Sequence, residues 1–129
     1  MSLASPPVRG FHKSAASARA DLVAALNSAG LNAASAAPDS ATPGAAWPQW
    51  TATDFQGHLC DPSRFSFSVY VVLNAADSET TVNDGDDVVT RVAPALFRVA
   101  VIQAAEPVLI TFGDKTTMPG VRFRVITRM

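Results

Sequence analysis

Residues 65–73 read FSFSVYVVL and give the clearest indication of the fold. Successive side chains of a β-strand point to opposite faces, so every second residue lies on the same face. One face of this stretch is entirely apolar and carries Phe65, Phe67, Val69, Val71 and Leu73. The other face mixes two serines with Tyr70 and Val72. The pattern predicts a strand with one face buried against a core.

An amphipathic helix is predicted upstream of this strand, starting near Ser14 or Ser17 and ending at Gly30. Either serine can cap the free N–H groups of the first turn, and glycine commonly follows the last turn. The apolar residues recur at helical spacing and are Ala18, Leu22, Val23, Ala25, Leu26 and Ala29. Residues 1–13 are expected to form an irregular arm.

Between this helix and the strand, residues 31–46 are rich in alanine and contain Pro38, Pro43 and Gly44. Proline and glycine interrupt regular structure, so a long loop is predicted, with room for a short strand. Residues 47–59 then predict another strand, which Pro48 interrupts or confines to an edge.

Downstream, residues 74–81 are polar and predict a turn, and residues 85–102 predict a second helix. Acidic residues near its start, including Asp84 and Asp86, favour the positive end of the helix dipole. Pro94 should kink or break this helix, and its β-branched valines leave a strand as an alternative.

Residues 108–112 and 121–127 predict two further strands, joined as a hairpin by the turn-rich residues 113–120. The element order is therefore α-β-β-α-β-β. It predicts an α+β fold in which two helices pack on a small, mostly antiparallel sheet. Residues 14–129 are expected to form one domain, because 129 residues suit a single core.

The composition indicates which kinds of partner and which cellular compartment suit the chain. The formal net charge of -1 supplies no field that would draw the whole molecule to nucleic acid or anionic lipid. Only 16% of residues are charged, which suggests that part of the surface meets a partner. The single cysteine, Cys60, suits a reducing compartment. With no apolar run long enough to span a bilayer and no signal peptide, we expect no membrane association and synthesis in a cytoplasm.

The sequence predicts neither catalysis nor a cofactor. His12, His58 and Cys60 are the best soft-metal ligands, but a tetrahedral site normally needs a fuller set. A nucleophilic pair of Cys60 and His58 lacks a residue marked to orient the imidazole. The acidic residues 83–87 lack the closing glutamate of a calcium loop, so a helix start explains them better. No G-x-S-x-G elbow or phosphate-binding glycine loop is present.

Three features are candidates for binding. The first is the last strand, where Arg122, Arg124 and Arg128 should project from one face. They form either a solvated face or a positive rim toward a partner's carboxylates or a DNA conduit.

The second feature is the pair Trp47 and Trp50, which should lie on opposite faces of one strand. Both cannot easily be core residues, and aromatic residues are enriched in interfaces. The third is the loop between the last two strands, whose Lys115 and Met118 either contact a partner or form a plain exposed turn.

In its order of elements and its length, the chain resembles the tail terminator proteins of long-tailed bacteriophages (siphoviruses), and those of phages of actinobacteria in particular. The likeness covers most of the chain from Ser14 onward. It is carried by the helix at residues 21–30, Trp47-Pro48, the strand at residues 65–73 and the closing hairpin at residues 119–125.

This resemblance implies a hexameric ring that caps the tail tube, stops its polymerisation and joins the tail to the neck. It implies head-to-tail subunit contacts, with the major tail tube protein and a head-closure (neck) protein as partners. DNA would pass through the lumen without sequence-specific binding. The subunit would be a structural protein of the virion, at the tail–neck junction, assembled in the host cytoplasm. No catalytic residue or cofactor is implied.

Other functions remain open. Another head–tail connector, such as a head-closure subunit, would share the size and the ring symmetry. A small nucleic-acid-binding module would need stacking aromatics beside the arginines, but alternation places Phe123 on the face opposite Arg122 and Arg124. An enzyme acting on a small ligand through an unrecognised site is the third alternative.

Overall fold

The computed structural model describes residues 14–40, 42–55, 62–74 and 78–128. Its elements are α1 (Ala15–Ser28), β1 (Asn32–Ala33), β2 (Ala45–Phe55), β3 (Pro62–Val72), α2 (Ser78–Phe97), β4 (Val101–Thr111) and β5 (Thr117–Arg128). The predicted α+β class is confirmed, with two helices and a five-stranded sheet. The predicted arm at residues 1–13 lies outside the described residues.

The strand predicted from FSFSVYVVL is the central strand of the sheet. Strands follow one another in the order β1-β2-β3-β5-β4, and every pairing is antiparallel except that of β1 with β2. In the middle of β3, Val69 lies opposite Pro48 of β2 and Phe123 of β5. Since its apolar residues are buried as predicted, β3 forms the floor of the main core.

The main core lies between the two helices and one face of the sheet. Its fully buried side chains include Leu22, Leu26, Phe67, Val69, Val92, Leu96 and Phe123. In each helix, residues three or four positions apart lie on one side and face this core. We refer to the opposite side of the sheet as the helix-free face.

Helix α1 is bounded by the signals that the sequence predicts. The Ser14 hydroxyl accepts a hydrogen bond from the Ser17 N–H at 3.2 Å, and this caps the first turn. After the last turn Gly30 adopts a φ of 89°, which favours glycine. The Asn27 side chain then accepts from the Ala33 N–H at 2.9 Å and so ties the helix to the short strand β1.

The predicted bounds of the second helix are wrong at both ends. Helix α2 already begins at Ser78, within the predicted turn, while Asp84 accepts from the Asn74 N–H at 2.8 Å and anchors the preceding loop. The helix runs through Pro94 and ends at Phe97. The N–H of Ala100 donates to the Leu96 carbonyl at 2.9 Å, and Val101 then starts β4.

The closing hairpin is longer than predicted. β4 begins at Val101 rather than residue 108, and β5 begins at Thr117 rather than residue 121. A tight turn at residues 112–116 replaces the predicted longer loop, because Phe112 and Thr116 are joined by a hydrogen bond of 2.9 Å. β4 consequently forms a long strand at one edge of the sheet.

Proline 48 lies inside β2 rather than ending it. β1 pairs with β2 only at Ala45 and Ala46, so the outer edge of β2 at Pro48 has no strand partner in the described part of the chain. An edge position suits proline, which has no N–H to donate. None of the helices described here is long and apolar enough to cross a membrane.

Candidate functional surfaces

The predicted arginine face lies on the helix-free side of the sheet, and there it meets a carboxylate of the same chain. Arg122 Nη2 is 2.8 Å from Glu106 Oε1, and Arg124 Nε is 3.0 Å from the same oxygen. Glu106 on β4 lies directly opposite Arg122 on β5. We call these three side chains the Glu106 cluster. It neutralises part of the positive charge expected on this face.

Each charge in the Glu106 cluster favours the ionised form of its partner. The hydrogen bond from Arg122 lowers the pKa of Glu106 against the opposing effect of partial desolvation, and the charge of Arg124 also lowers it. The hydrogen bond to Glu106 raises the pKa of Arg122, and a further hydrogen bond to Tyr70 adds to this effect. The cluster is therefore a structural link between β4 and β5.

Arg128 is the last residue of β5, and its backbone lies opposite Arg64 of β3. Its side chain lies outside what the structure describes. The structure therefore shows Arg122 and Arg124 on one face. The orientation of Arg128 stays a prediction.

The two tryptophans differ in exposure. Trp47 is only 5% exposed and lies on the helix-free face, where it stacks on Tyr70 at a centroid distance of 5.5 Å. Phe112 approaches the same indole edge-on at 5.9 Å. Trp47 therefore packs within its own chain, the core role that the sequence analysis allows for one of the two tryptophans.

Trp50 lies on the opposite side of β2, opposite Phe67, and is 51% exposed. Its indole N–H donates to Thr53 Oγ1 at 2.9 Å, which fixes the ring on the strand. Trp50 and Arg19 of α1 line one shallow recess. Of the two tryptophans considered as interface candidates, Trp50 is the one with exposed surface available to a partner.

The turn between β4 and β5 gives different positions to its two candidate residues. Lys115 is exposed and has a φ of 69°, so it occupies the left-handed position of the turn. The Thr116 N–H donates to Asp114 Oδ1 at 2.9 Å, a contact that lowers the pKa of Asp114. Met118 is half-buried against a small second core around Trp47 and Phe112. Lys115 is therefore accessible, whereas Met118 contributes mainly to packing.

A groove lies between α2 and β4. Its volume is about 580 Å³, and its lining is predominantly apolar, with Val82, Val89, Ala105, Pro107 and Leu109 among the residues. Leu109 is 77% exposed and Val82 62% exposed. Asp86 of α2 also lines it, and Glu106 borders it through β4 while its carboxylate lies on the helix-free face with Arg122. We call this surface the α2–β4 groove.

The α2–β4 groove borders one edge of the sheet, and Trp50 lies near the other. In the described part of the chain, no strand pairs with the outer side of β4 or with the outer side of β2 beyond Ala46. Unpaired edges present free backbone N–H and C=O groups. The fold thus leaves apolar side chains beside two opposite, unpaired edges.

The predicted metal-ligand candidates His12, His58 and Cys60 all lie outside the described residues. Within the described ranges, no group of three or more His, Cys, Asp or Glu side chains could hold a metal ion.

Sequence periodicity indicates neither Glu106 nor the α2–β4 groove, for one reason. A helix predicted to end at residue 102 and a strand predicted to start at residue 108 leave Glu106 unassigned, whereas β4 already begins at Val101. The hairpin offered a usable signal. Extending the register that pairs Thr111 with Thr117 back along both strands brings Glu106 opposite Arg122.

Comparison with known proteins provides no family for the chain. No protein-family model matches it, and no curated protein matches it.

Proposed function

We propose that this chain is a tail terminator subunit of a long-tailed bacteriophage, and that copies of it form a ring that caps the tail tube. The ring would stop tube polymerisation and join the tail to the neck. The proposal assigns the chain a structural role in the virion, with no catalysis and no cofactor.

One observation carries the proposal: within the described ranges, the sheet has an edge without a strand partner on each side, and exposed apolar side chains lie beside both edges. Leu109 and Val82 flank the β4 edge, and Trp50 lies at the β2 edge. Apolar patches on a small protein commonly mark interaction sites. Contact surfaces at opposite edges suit a heterologous contact, and such contacts close into rings when the rotation allows it.

The helix-free face also suits a structural role. The Glu106 cluster leaves Arg124 half exposed, so the face keeps some positive potential next to neutralised charge. Such a surface can lie along a DNA conduit without binding DNA tightly, because affinity for DNA rises with the number of phosphates neutralised.

The alternative of a nucleic-acid-binding module is less well supported. Stacking of bases needs exposed aromatic rings beside basic side chains. Phe123, the aromatic residue nearest the arginines in sequence, is fully buried beneath the helices. Trp47 is buried as well, and the exposed Trp50 lies on the helix-covered side of the sheet, away from Arg122 and Arg124.

Deleting the gene from a phage that carries it tests the proposal and separates it from the head-closure alternative. Loss of a terminator should leave tubes that grow past their normal length, because nothing caps them. Loss of a head-closure subunit should instead leave filled heads beside detached tails of normal length. Complementation by the wild-type gene serves as the control, and normal-length tails in the deletion strain would refute the terminator role.

A further inference from the structure

The α2–β4 groove and Trp50 lie on the same side of the sheet. Trp50 lies opposite Phe67, and Ala105 in the groove lies opposite Phe123. Both of these phenylalanines face the helices in the main core. The groove and Trp50 are therefore on the helix-covered side of the sheet, but at its two opposite edges.

We propose that the α2–β4 groove of one copy takes the Trp50 indole of a second copy and so joins copies head to tail. This inference rests on the proposed ring, since it names the contact that would link neighbouring subunits. Tryptophan is one of the residue types enriched among interface anchors that fill desolvated pockets. A groove of about 580 Å³ is large enough for an indole ring.

Charge favours this occupant. Asp86 lines the groove, and Arg19 lies beside Trp50. A head-to-tail contact brings the arginine of one copy toward the aspartate of the next. A two-fold contact of groove with groove would instead bring two copies of Asp86 toward each other, which is unfavourable.

The β4 edge itself argues against the two-fold alternative. Pro107 lies in the middle of β4 and has no N–H, so it interrupts any continuous ladder with a second β4. Side-chain insertion into the groove does not depend on that ladder. The edge therefore favours an inserted side chain over two paired edge strands.

Two complementary variants of the full chain test the contact by sedimentation velocity. Trp50→Asp removes the inserted ring, and Leu109→Asp places a charge in the groove. Each variant alone should lose self-association by about tenfold or more, as expected for an interface anchor. Their equimolar mixture should form a one-to-one dimer, because the mixture retains one intact groove and one intact Trp50.

Phe97→Asp is the matched control, since Phe97 is 64% exposed but does not line the groove. It should leave self-association unchanged, and circular dichroism should show that all three variants are folded. A wild-type chain that stays monomeric at millimolar concentration would overturn the contact. A Trp50→Asp variant that associates like the wild type, or a mixture that forms no dimer, would overturn it too.

A charge exchange provides a second measurement. Asp86→Arg and Arg19→Asp should each weaken association severalfold, and an equimolar mixture of the two variants should recover part of the loss. No recovery would refute the proposed orientation.

The failure of this contact can be told apart from failure of the proposed function. A phage carrying Trp50→Asp that makes capped tails of normal length would overturn the contact and leave the terminator role standing. If the chain forms the head-to-tail dimer but deletion of its gene leaves tail length normal, the contact stands and the terminator role is overturned.

Discussion

Glu106 and Arg122 face each other across β4 and β5, with Arg122 Nη2 2.8 Å from Glu106 Oε1. Arg124 Nε approaches the same oxygen at 3.0 Å. β4 has one strand neighbour in the described sheet, so this cluster adds a side-chain link to the edge strand that borders the α2–β4 groove.

Replacing Glu106 should make stability depend less on pH. The pKa of Glu106 is lowered in the folded chain from its ordinary value of 4.5. A lowered carboxyl pKa stabilises the folded state above the unfolded value, and this contribution is lost as the pH falls through the folded value. Urea unfolding should therefore show Glu106→Gln to be less stable than the wild type near neutral pH, with the difference disappearing in acid.

Arg122→Gln provides the matching test, since it removes the other half of the pair. The two single changes and the double change should be non-additive, because each removes the same interaction. A difference between wild type and Glu106→Gln that persists unchanged well below the ordinary carboxyl pKa would contradict the role of this ion pair.

Gly120→Ala should destabilise the chain by about 1–3 kcal/mol, because it overpacks a closely packed site. A Cβ at Gly120 would lie 2.8 Å from the Val71 carbonyl oxygen and would also collide with Ile110. Gly113→Ala is the control, since its Cβ would meet nothing closer than Asp39 O at 3.9 Å. Thermal unfolding should separate the two variants, and equal melting temperatures would contradict this packing.

Single-tryptophan variants should differ in their access to a soluble quencher. The chain has two tryptophans, so Trp50→Phe leaves Trp47 and Trp47→Phe leaves Trp50. Acrylamide should quench the remaining Trp50 strongly and the buried Trp47 weakly, in line with their exposures of 51% and 5%. Equal quenching of the two variants would show that Trp47 is not enclosed by Tyr70 and Phe112.

Pro94→Ala should stabilise the chain by about 1–3 kcal/mol, because α2 continues through this position to Phe97. Proline cannot donate to the carbonyl of Thr90 one turn earlier, whereas alanine can. Pro94 is exposed, so the change removes little packing. A lower melting temperature for Pro94→Ala than for the wild type would argue that the helix ends before this residue.

The fold was predictable where periodicity was strong. Leu22 and Leu26 on α1, and Val69 and Val71 on β3, occupy the core positions that their spacing predicts. These patterns suffice because burial of one face favours a single secondary structure. The class and the arrangement of helices on one side of the sheet follow from them.

The end of α2 and the start of β4, both between residues 97 and 108, could not be predicted in the same way. Val99 and Ala100 continue the apolar spacing of α2 and pack against the main core, although they lie beyond its end. Val101 to Thr111 alternates in exposure because it forms an edge strand, so few of its residues are fully buried. Weak burial gives a weak pattern, and the α2–β4 groove that depends on this strand was missed with it.

The candidate surface residues were partly predictable for a similar reason. Alternation along β5 correctly places Arg122 and Arg124 together, but the pattern of one strand does not reveal that Glu106 on the next strand binds both. For the tryptophans, alternation predicts opposite faces, and only the surrounding rings decide that Trp47 is the buried one.

The most direct test of the account is the position of this subunit in an electron-microscopy map of the assembled phage particle. We predict a closed ring of copies at the end of the tail tube, next to the neck, with Trp50 of each copy against Leu109 of its neighbour. Density for this fold at another position in the particle, or its absence from the particle altogether, would contradict the account.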